Sequence, residues 1–132
     1  MSDRWSRSRG AVYNVGYHII WCPKYRRSIL KLGVEKRLKT LLYCKATELG
    51  IRIEKMENMP DHIHLFIKSD TNISIANIVK NLKGFTSRIL RQEFPHLKNM
   101  KSLWTRSYYC ETVGHISEST IKKYIQNQKI KG

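Results

Sequence analysis

The pair His62 and His64, separated only by Ile63, is the first place in the sequence where side chains could do chemistry. Alternate residues of a β-strand point to the same face of a sheet, so a strand here would hold both imidazoles side by side. Two neighbouring imidazoles can chelate one divalent metal ion. The competing interpretation is that both histidines only line a solvated sheet face. Asp61 could orient a histidine or bind the metal itself, although an aspartate in a turn needs neither role. His18, on the first predicted strand, is more typical of a structural residue than of a metal ligand.

A second candidate pair is Tyr124 and Gln128, which are four residues apart. In a helix, residues at this spacing lie on one face. A phenol can act as a nucleophile, and an amide oxygen can bind a hard cation. The alternative is an amphipathic helix with an exposed tyrosine, and because the chain has seven tyrosines, composition alone does not select Tyr124. Tyr108 and Tyr109 are the nearest competitors, but neither has such a partner one helical turn away.

The charge of the chain indicates a polyanionic partner. Among 132 residues there are 25 lysines and arginines against 10 acidic residues, a formal net charge of +15. Nucleic acid is the expected partner, with an anionic membrane surface as the alternative. No apolar stretch is long enough for a transmembrane helix, and the basic residues 1–10 do not resemble a secretion signal. The three cysteines have no zinc-binding spacing, which favours reduced thiols and a cytoplasmic location.

Basic residues interleave with aromatic ones at several places, a pattern suited to phosphate contacts and base stacking on single strands. Those at positions 80 to 91 lie off the apolar stripe of a predicted helix, so we expect them to face solvent or DNA. The candidate DNA-contact residues are Lys24, Tyr25, Arg26, Arg27, Lys80, Lys83, Arg88, Arg91 and Arg106.

The apolar periodicity predicts seven elements in the order β-α-β-β-α-β-α. The predicted strands are residues 11–22, 51–58, 62–68 and 107–113. The predicted helices are residues 34–49, closed by Gly50, a second helix capped by Asn72 and running to Phe94, and a third from Ser117 to about residue 127. Residues 1–10 are expected to be a basic, flexible lead-in, and residues 11–132 a single domain.

The first six elements match an α+β, ferredoxin-like fold, which is a split βαβ arrangement shared with RNA-recognition motifs (RRMs). In that fold an antiparallel sheet carries helices on one face and leaves the other face open. His62, His64 and Phe66 are expected on the open face, and the apolar residues between them against the helices. The extra C-terminal helix, which carries Tyr124, has no place in the standard arrangement.

Several motifs in this order resemble the single-tyrosine transposases of the smallest insertion sequences, the TnpA-type, IS200-like family of the HUH endonuclease superfamily. The motifs are DHIH at residues 61–64, WT at 104–105, TVG at 112–114 and YIQNQ at 124–128. WCPKYRR at residues 21–27 is also similar to the end of that family's first strand. The resemblance covers residues 17–128.

This resemblance implies a DNA transposase that cleaves and rejoins single-stranded DNA at insertion-sequence ends. It implies that His62, His64 and Gln128 bind Mg²⁺ or Mn²⁺, and that Tyr124 attacks a DNA phosphate. The product would be a 5′-phosphotyrosine link and a free 3′-OH. The implied partners are single-stranded DNA with hairpins near the element's ends and a second copy of the chain, whose active site the tyrosine helix can complete.

Two other functions remain open from the sequence. One is a non-enzymatic, RRM-like module that binds single-stranded nucleic acid, although the chain lacks the aromatic-rich strand of those modules. The other keeps the HUH chemistry but uses it in replication initiation or in a domesticated transposase. Metal-dependent cleavage separates the first alternative from a transposase.

Overall fold

A four-stranded antiparallel sheet carries the candidate site. The computed structural model describes residues 6–8, 11–13, 15–69, 71–112 and 124–128. The elements are β1 (Ser6–Ser8), β2 (Ala11–Tyr13), β3 (Val15–Trp21), α1 (Val34–Leu49), β4 (Ile51–Met59), β5 (His62–Ser69), α2 (Ile75–Glu93) and β6 (Tyr109–Thr112). Residues 124–128 are also helical. The sheet order is β4-β5-β3-β6, with antiparallel neighbours, which confirms the predicted ferredoxin-like fold.

The N-terminal strands differ from the prediction of one strand over residues 11–22. β2 and β3 are separate elements, and β2 pairs antiparallel with β1, so residues predicted as a lead-in contribute a strand. The pair β1-β2 forms its own two-stranded sheet. Ser117, the predicted cap of the last helix, and Val113, the predicted end of the last strand, lie outside the described residues.

Helix α1 begins and ends where the sequence predicts. Its apolar positions, including Val34 and Leu38, are buried against the sheet. Gly50 closes the helix in the left-handed conformation, at φ +76°, and its N–H donates to the carbonyls of Ala46 and Thr47. A residue with a Cβ atom is strained in that conformation, so glycine is the residue that allows this tight exit.

Helix α2 begins two residues later than predicted. Ser74, not Asn72, is the N-cap, because its hydroxyl oxygen accepts a hydrogen bond from the Asn77 N–H at 3.1 Å. The helix ends at the residue before Phe94, which adopts an extended conformation ahead of Pro95. None of the helices in the described parts of the chain is long and apolar enough to cross a membrane.

Two of the basic residues of α2 do not face solvent or DNA as predicted. Lys83 and Arg91 instead direct their side chains to backbone carbonyls of residues 100–107, the segment between α2 and β6. This segment has backbone carbonyls outside the sheet ladder, and two long cationic side chains can satisfy them. Lys80 and Arg88 are exposed, as predicted.

The main core lies between the sheet and the two long helices. Ile63, Leu65 and Ile67 alternate along β5 and are fully buried there, as predicted. Trp21 and Trp104 pack edge to face in the same core, with ring centroids 5.8 Å apart. The sheet face that carries the histidines is the opposite one.

Thr86 joins α2 to the segment before β6 through a buried hydrogen bond. The Trp104 indole N–H donates to the Thr86 hydroxyl oxygen at 3.0 Å, and that hydroxyl donates to the Leu82 carbonyl. Thr86→Val is expected to lower the free energy of unfolding by about 1–3 kcal/mol, because the buried indole N–H loses its acceptor. Urea denaturation measures this. The matched control is Thr47→Val, whose exposed hydroxyl makes the same contact one turn back, and a loss as large in that variant would contradict the prediction.

Candidate metal and tyrosine site

His62 and His64 lie on the sheet face that is turned away from the long helices. Both are half-buried, while the residues between and after them are buried in the core. In the sheet, Glu57, His64, Ile20 and Tyr109 are paired in one row across four strands, so their side chains point to the same side. The predicted placement of the two imidazoles is therefore confirmed, whereas metal binding by them stays a prediction.

His62 is oriented by a carboxylate. Its Nδ1 lies 2.9 Å from Oδ1 of Asp61. The other carboxylate oxygen of Asp61 lies 2.9 Å from Nε of Arg26, as an ion pair without the alignment of a hydrogen bond. A carboxylate on one nitrogen fixes the ring and leaves the other nitrogen, Nε2, available to a metal ion. Asp61 therefore supports His62, which is one of the two roles considered for it, and Arg26 forms an ion pair with Asp61. DNA contact by Arg26 stays a prediction.

His64 contacts a third histidine that the sequence did not single out as functional. Its Nε2 is 3.2 Å from Nδ1 of His18, and its Nδ1 is 3.5 Å from a carboxylate oxygen of Glu57. His18 stacks on Phe66 with the ring centroids 4.8 Å apart. Burial lowers the pKa of His64, and the neighbouring His18 lowers it further. The neutral imidazole, which is the metal-binding form, is therefore favoured.

Gln128, the third predicted metal ligand, is hydrogen-bonded to residues of the tyrosine side in this structure. In the described parts of the chain, no group of three or more His, Cys, Asp or Glu residues could hold a metal ion. Two imidazoles and one amide oxygen form an acceptable donor set for Mn²⁺ or Mg²⁺ when DNA oxygens complete it. Gln128 is buried, its Oε1 accepts from the Ser107 hydroxyl at 3.1 Å, and its Nε2 donates to the Tyr124 carbonyl at 3.2 Å. Its hydrogen bonds in this structure therefore go to Ser107 and Tyr124.

Tyr124 is held by hydroxyl groups from the segment before β6. The Ser107 hydroxyl oxygen lies 3.2 Å from the Tyr124 phenol oxygen, and its single proton can be donated either there or to Gln128. The Tyr124 ring centroid is 6.3 Å from that of Tyr109, on the histidine side of the sheet. Burial raises the pKa of Tyr124, while hydrogen bonds from Ser107 and Thr105 lower it. The phenol is thus sheltered from water and has donors that stabilise its ionised form. Ser107 lies 17 residues from Tyr124 in sequence, and no motif pointed to it.

The hydroxyl of Tyr109 is engaged by a carboxylate, unlike that of Tyr124 in the described parts of the chain. The Tyr109 hydroxyl donates to a carboxylate oxygen of Glu111. That hydrogen bond is the main reason why the pKa of Tyr109 rises to about 12. Tyr108, its neighbour, packs against the core, so only one of these two tyrosines reaches the histidine side, as strand alternation predicts.

Arg26 links the histidine side to the tyrosine helix. Besides its ion pair with Asp61, it donates through Nη1 to the Ile125 carbonyl at 3.4 Å. The chain of contacts therefore runs from His62 through Asp61 and Arg26 to the turn of helix that carries Tyr124. One cation restrains both the candidate metal ligand and the candidate nucleophile.

A basic groove lies beside the turn that contains Arg26. It has a volume of about 540 Å³ and is lined partly by Lys24, Tyr25, Arg27 and Lys101. Tyr25 is half-exposed, with the Lys24 ammonium 5.9 Å and the Arg27 guanidinium 5.8 Å from its ring centroid. Its φ of +58° is a left-handed conformation that non-glycine residues seldom adopt. An exposed aromatic ring flanked by cations suits a nucleobase and its phosphates.

The exposed cations of α2 lie elsewhere. Lys80 and Arg88 are on the outer side of α2, which covers the sheet face opposite the histidines. A second groove, of about 350 Å³, is lined by Lys80, Lys83 and Arg106 among others. The structure therefore does not bring these DNA-contact candidates to the histidine side of the sheet.

The three cysteines form no disulfide with one another in the described parts of the chain. All three, Cys22, Cys44 and Cys110, are free thiols. Burial raises the pKa of Cys22 to about 12 and that of Cys110 to about 11.

Comparisons with known proteins identify the family of the chain. The family model for IS200-like transposases matches residues 11–128. The ISDra2 transposase TnpA of Deinococcus radiodurans is 38% identical over 125 residues, which cover 92% of this chain and 89% of that protein. The transposase for insertion sequence element IS200 of Salmonella typhimurium is 33% identical over 120 residues, covering 88% and 78%.

Two solved structures of transposases are also similar to this chain. The crystal structure of a candidate transposase from Deinococcus radiodurans superposes with a TM-score of 0.82 at 37% identity, and the match covers 93% of this chain and 97% of that one. A REP-associated tyrosine transposase bound to a REP hairpin shares the fold, with a TM-score of 0.60 at 12% identity over 91% of this chain and 67% of that one. The chain therefore belongs to the IS200-like transposase family.

Proposed function

We propose that this transposase cleaves and rejoins single-stranded DNA at insertion-sequence ends through a covalent bond between DNA and Tyr124. The observation that carries the proposal is the position of the Tyr124 phenol, sheltered and hydrogen-bonded, on the sheet side that also holds His62 and His64. The core packing does not require a phenol and two imidazoles on this side of the sheet, so the combination favours a functional role. Membership in a transposase family supports the same chemistry.

In the proposed step, the Tyr124 phenol oxygen loses its proton and attacks a phosphorus atom of the DNA backbone. The new bond joins the tyrosine oxygen to the 5′ phosphate, and the bond to the 3′ oxygen breaks. The 3′ oxygen takes up a proton, which balances the one lost by the phenol. One phosphodiester replaces another, so the bond energy is kept, and rejoining by the reverse attack of a 3′-OH needs no ATP.

The chain's own residues prepare this step. The hydrogen bond between Ser107 and the phenol lowers the pKa of Tyr124, which opposes the effect of burial. His62 and His64 would hold Mg²⁺ or Mn²⁺ together with the Gln128 amide oxygen, and Asp61 keeps the His62 ring oriented for that role. When bound, the ion supplies polarisation of the phosphate and stabilisation of the leaving oxygen.

The deciding experiment mixes the protein with a library of single-stranded oligonucleotides that carry a stem-loop beside randomised flanks. With Mn²⁺ we expect a covalent protein–DNA adduct that survives denaturing electrophoresis, and with EDTA none. Sequencing the trapped strands gives the target. A protein that binds the library tightly yet forms no adduct with any strand would support the alternative, an RRM-like module that only binds nucleic acid. Rejoining of trapped strands to a second insertion-sequence end, rather than cleavage alone, separates transposition from replication initiation.

We expect preferential binding to single-stranded or hairpin DNA, dominated by electrostatics. The net charge of +15 and the exposed Tyr25 flanked by cations support both parts of this expectation. Affinity should fall by about 10³-fold or more between 50 mM and 200 mM salt if at least six phosphates are contacted. Fluorescence anisotropy at several salt concentrations measures this. A blunt duplex that binds as tightly as a hairpin, or an affinity that ignores salt, would contradict it.

We also propose that the protein acts as a homodimer in the cytoplasm. The chain is short, so a second copy would add buried surface that a small core lacks. The sedimentation coefficient at micromolar concentration should correspond to twice the chain mass of 15.6 kDa. A fully active monomer under the same conditions would remove the dimer from the proposal.

A further inference from the structure

Lys83 is a half-buried cation in the middle of α2. Its ammonium donates to the carbonyls of Thr105 and Ser107, both at 2.7 Å. The same ammonium lies 6.0 Å from the Trp21 ring centroid and 5.8 Å from that of Tyr108. Burial lowers the pKa of Lys83 to about 8. Withdrawing a lysine from water is unfavourable, so its two short hydrogen bonds must offset that loss.

The two carbonyls that Lys83 holds belong to the segment that contacts the nucleophile. Within residues 105–107, the Ser107 hydroxyl contacts both the Tyr124 phenol oxygen, at 3.2 Å, and the Gln128 amide oxygen, at 3.1 Å. The Thr105 side chain also donates to the Ser107 carbonyl at 3.2 Å. This short stretch lies before β6, and its Thr105 N–H donates to the Cys22 carbonyl at 3.0 Å. The carbonyls of Thr105 and Ser107, by contrast, accept from side chains.

Resting on Tyr124 as the proposed nucleophile, we propose that Lys83 is a positioning residue. It fixes the backbone of residues 105–107 from the helix layer, so that the Ser107 hydroxyl holds the Tyr124 phenol and the Gln128 amide in their working places. Lys83 touches neither DNA nor the reacting atoms in this role. It acts on Tyr124 only indirectly, by holding the backbone of Ser107.

The first test compares Lys83→Met with Lys39→Met, which removes the same charge from an exposed site on α1. The substrate is the oligonucleotide recovered from the covalent-adduct selection. We expect DNA affinity to change alike in the two variants. Single-turnover cleavage at saturating DNA should slow by about tenfold or more in Lys83→Met only, because a misplaced nucleophile lowers the rate and not the binding. Equal cleavage rates in both variants would overturn the proposal.

A double-mutant cycle then asks whether Lys83 acts through Ser107. If it does, Lys83→Met combined with Ser107→Ala slows cleavage no more than the slower of the two single variants. Losses that multiply would mean that the two residues act independently, which would overturn the proposal. If Lys83→Met does not fold, Lys83→Gln takes its place, because its amide keeps a donor but cannot reach both carbonyls.

A third measurement needs neither DNA nor metal. In protein labelled with ¹³C at the tyrosine Cζ, the resonance of Tyr124 is the one missing from Tyr124→Phe. We expect Lys83→Met and Ser107→Ala to shift this resonance in the same direction, and Lys39→Met to leave it in place. An unchanged resonance in Lys83→Met overturns the positioning role. If wild-type protein forms no adduct, the proposed function fails, and this spectrum still decides the role of Lys83.

Discussion

Tyr124→Phe is expected to abolish both DNA cleavage and the covalent adduct, a loss of about 10⁴-fold or more in rate. The substitution removes one oxygen atom and almost no packing, so the folded structure should persist. The lost hydrogen bond is the one donated by Ser107, which can turn to the Gln128 oxygen it already contacts. DNA affinity and metal binding should therefore stay near those of the wild-type protein.

The matched control is Tyr43→Phe, which removes the same oxygen from an exposed tyrosine on α1. It should cleave like wild type. Tyr109→Phe tests the nearest competing phenol, whose hydrogen bond to Glu111 makes it hard to ionise. Peptide mapping of the adduct decides between them: DNA attached to a tyrosine other than Tyr124 would overturn the mechanism.

His64→Ala, and separately His62→Ala, should abolish metal-supported cleavage. Removing even an outer-shell partner commonly weakens metal binding by about 10–100-fold, so loss of a direct ligand should exceed about 100-fold. Both side chains are half-buried on the sheet side away from the main core, so the fold should tolerate the change. Electron paramagnetic resonance of Mn²⁺ titrations measures the affinity, with His96→Ala, on the exposed turn after α2, as the control. Normal cleavage by the variant lacking both histidines would refute the metal assignment.

Tyr124→Phe and His64→Ala protein, mixed together, also test whether one subunit completes the active site of the other. If the tyrosine helix of one subunit serves the histidines of the other, mixing Tyr124→Phe with His64→Ala protein gives a heterodimer with one complete site. Cleavage should then return although each variant alone is inactive. If each subunit uses its own tyrosine, every site in the mixture lacks one group and the mixture stays inactive. Adduct formation on a denaturing gel distinguishes the two arrangements.

The position of the histidine pair followed from local rules. Alternation along β5 put Ile63, Leu65 and Ile67 in the core and the histidines on the other side, because the period of a strand is two whatever lies around it. The limits of α1 were also local, since its apolar spacing and Gly50 act within a few turns. The order of elements then restricted the sheet to a ferredoxin-like arrangement.

Other features depended on contacts between residues far apart in sequence. The sequence placed Lys83 on a solvated helix face, since a lysine off the apolar stripe normally faces water. The segment before β6 lies against that side of α2, so the Lys83 ammonium donates to backbone carbonyls of the segment and not to water alone. In the same way, His18 meets His64 only because β3 and β5 pair in one particular register.

By itself, the sequence determined the fold class, the face of β5 that carries His62 and His64, the excess of positive charge, and the family that the motifs resemble. These depend on periodicity, motif order and composition, which can be read along the chain without knowing which residues meet in space. Only the tertiary structure decided which groups surround Tyr124, and that Arg26 pairs with Asp61. Hydrogen bonds and ion pairs act over a few ångströms of space, and chain folding sets those distances independently of separation along the sequence.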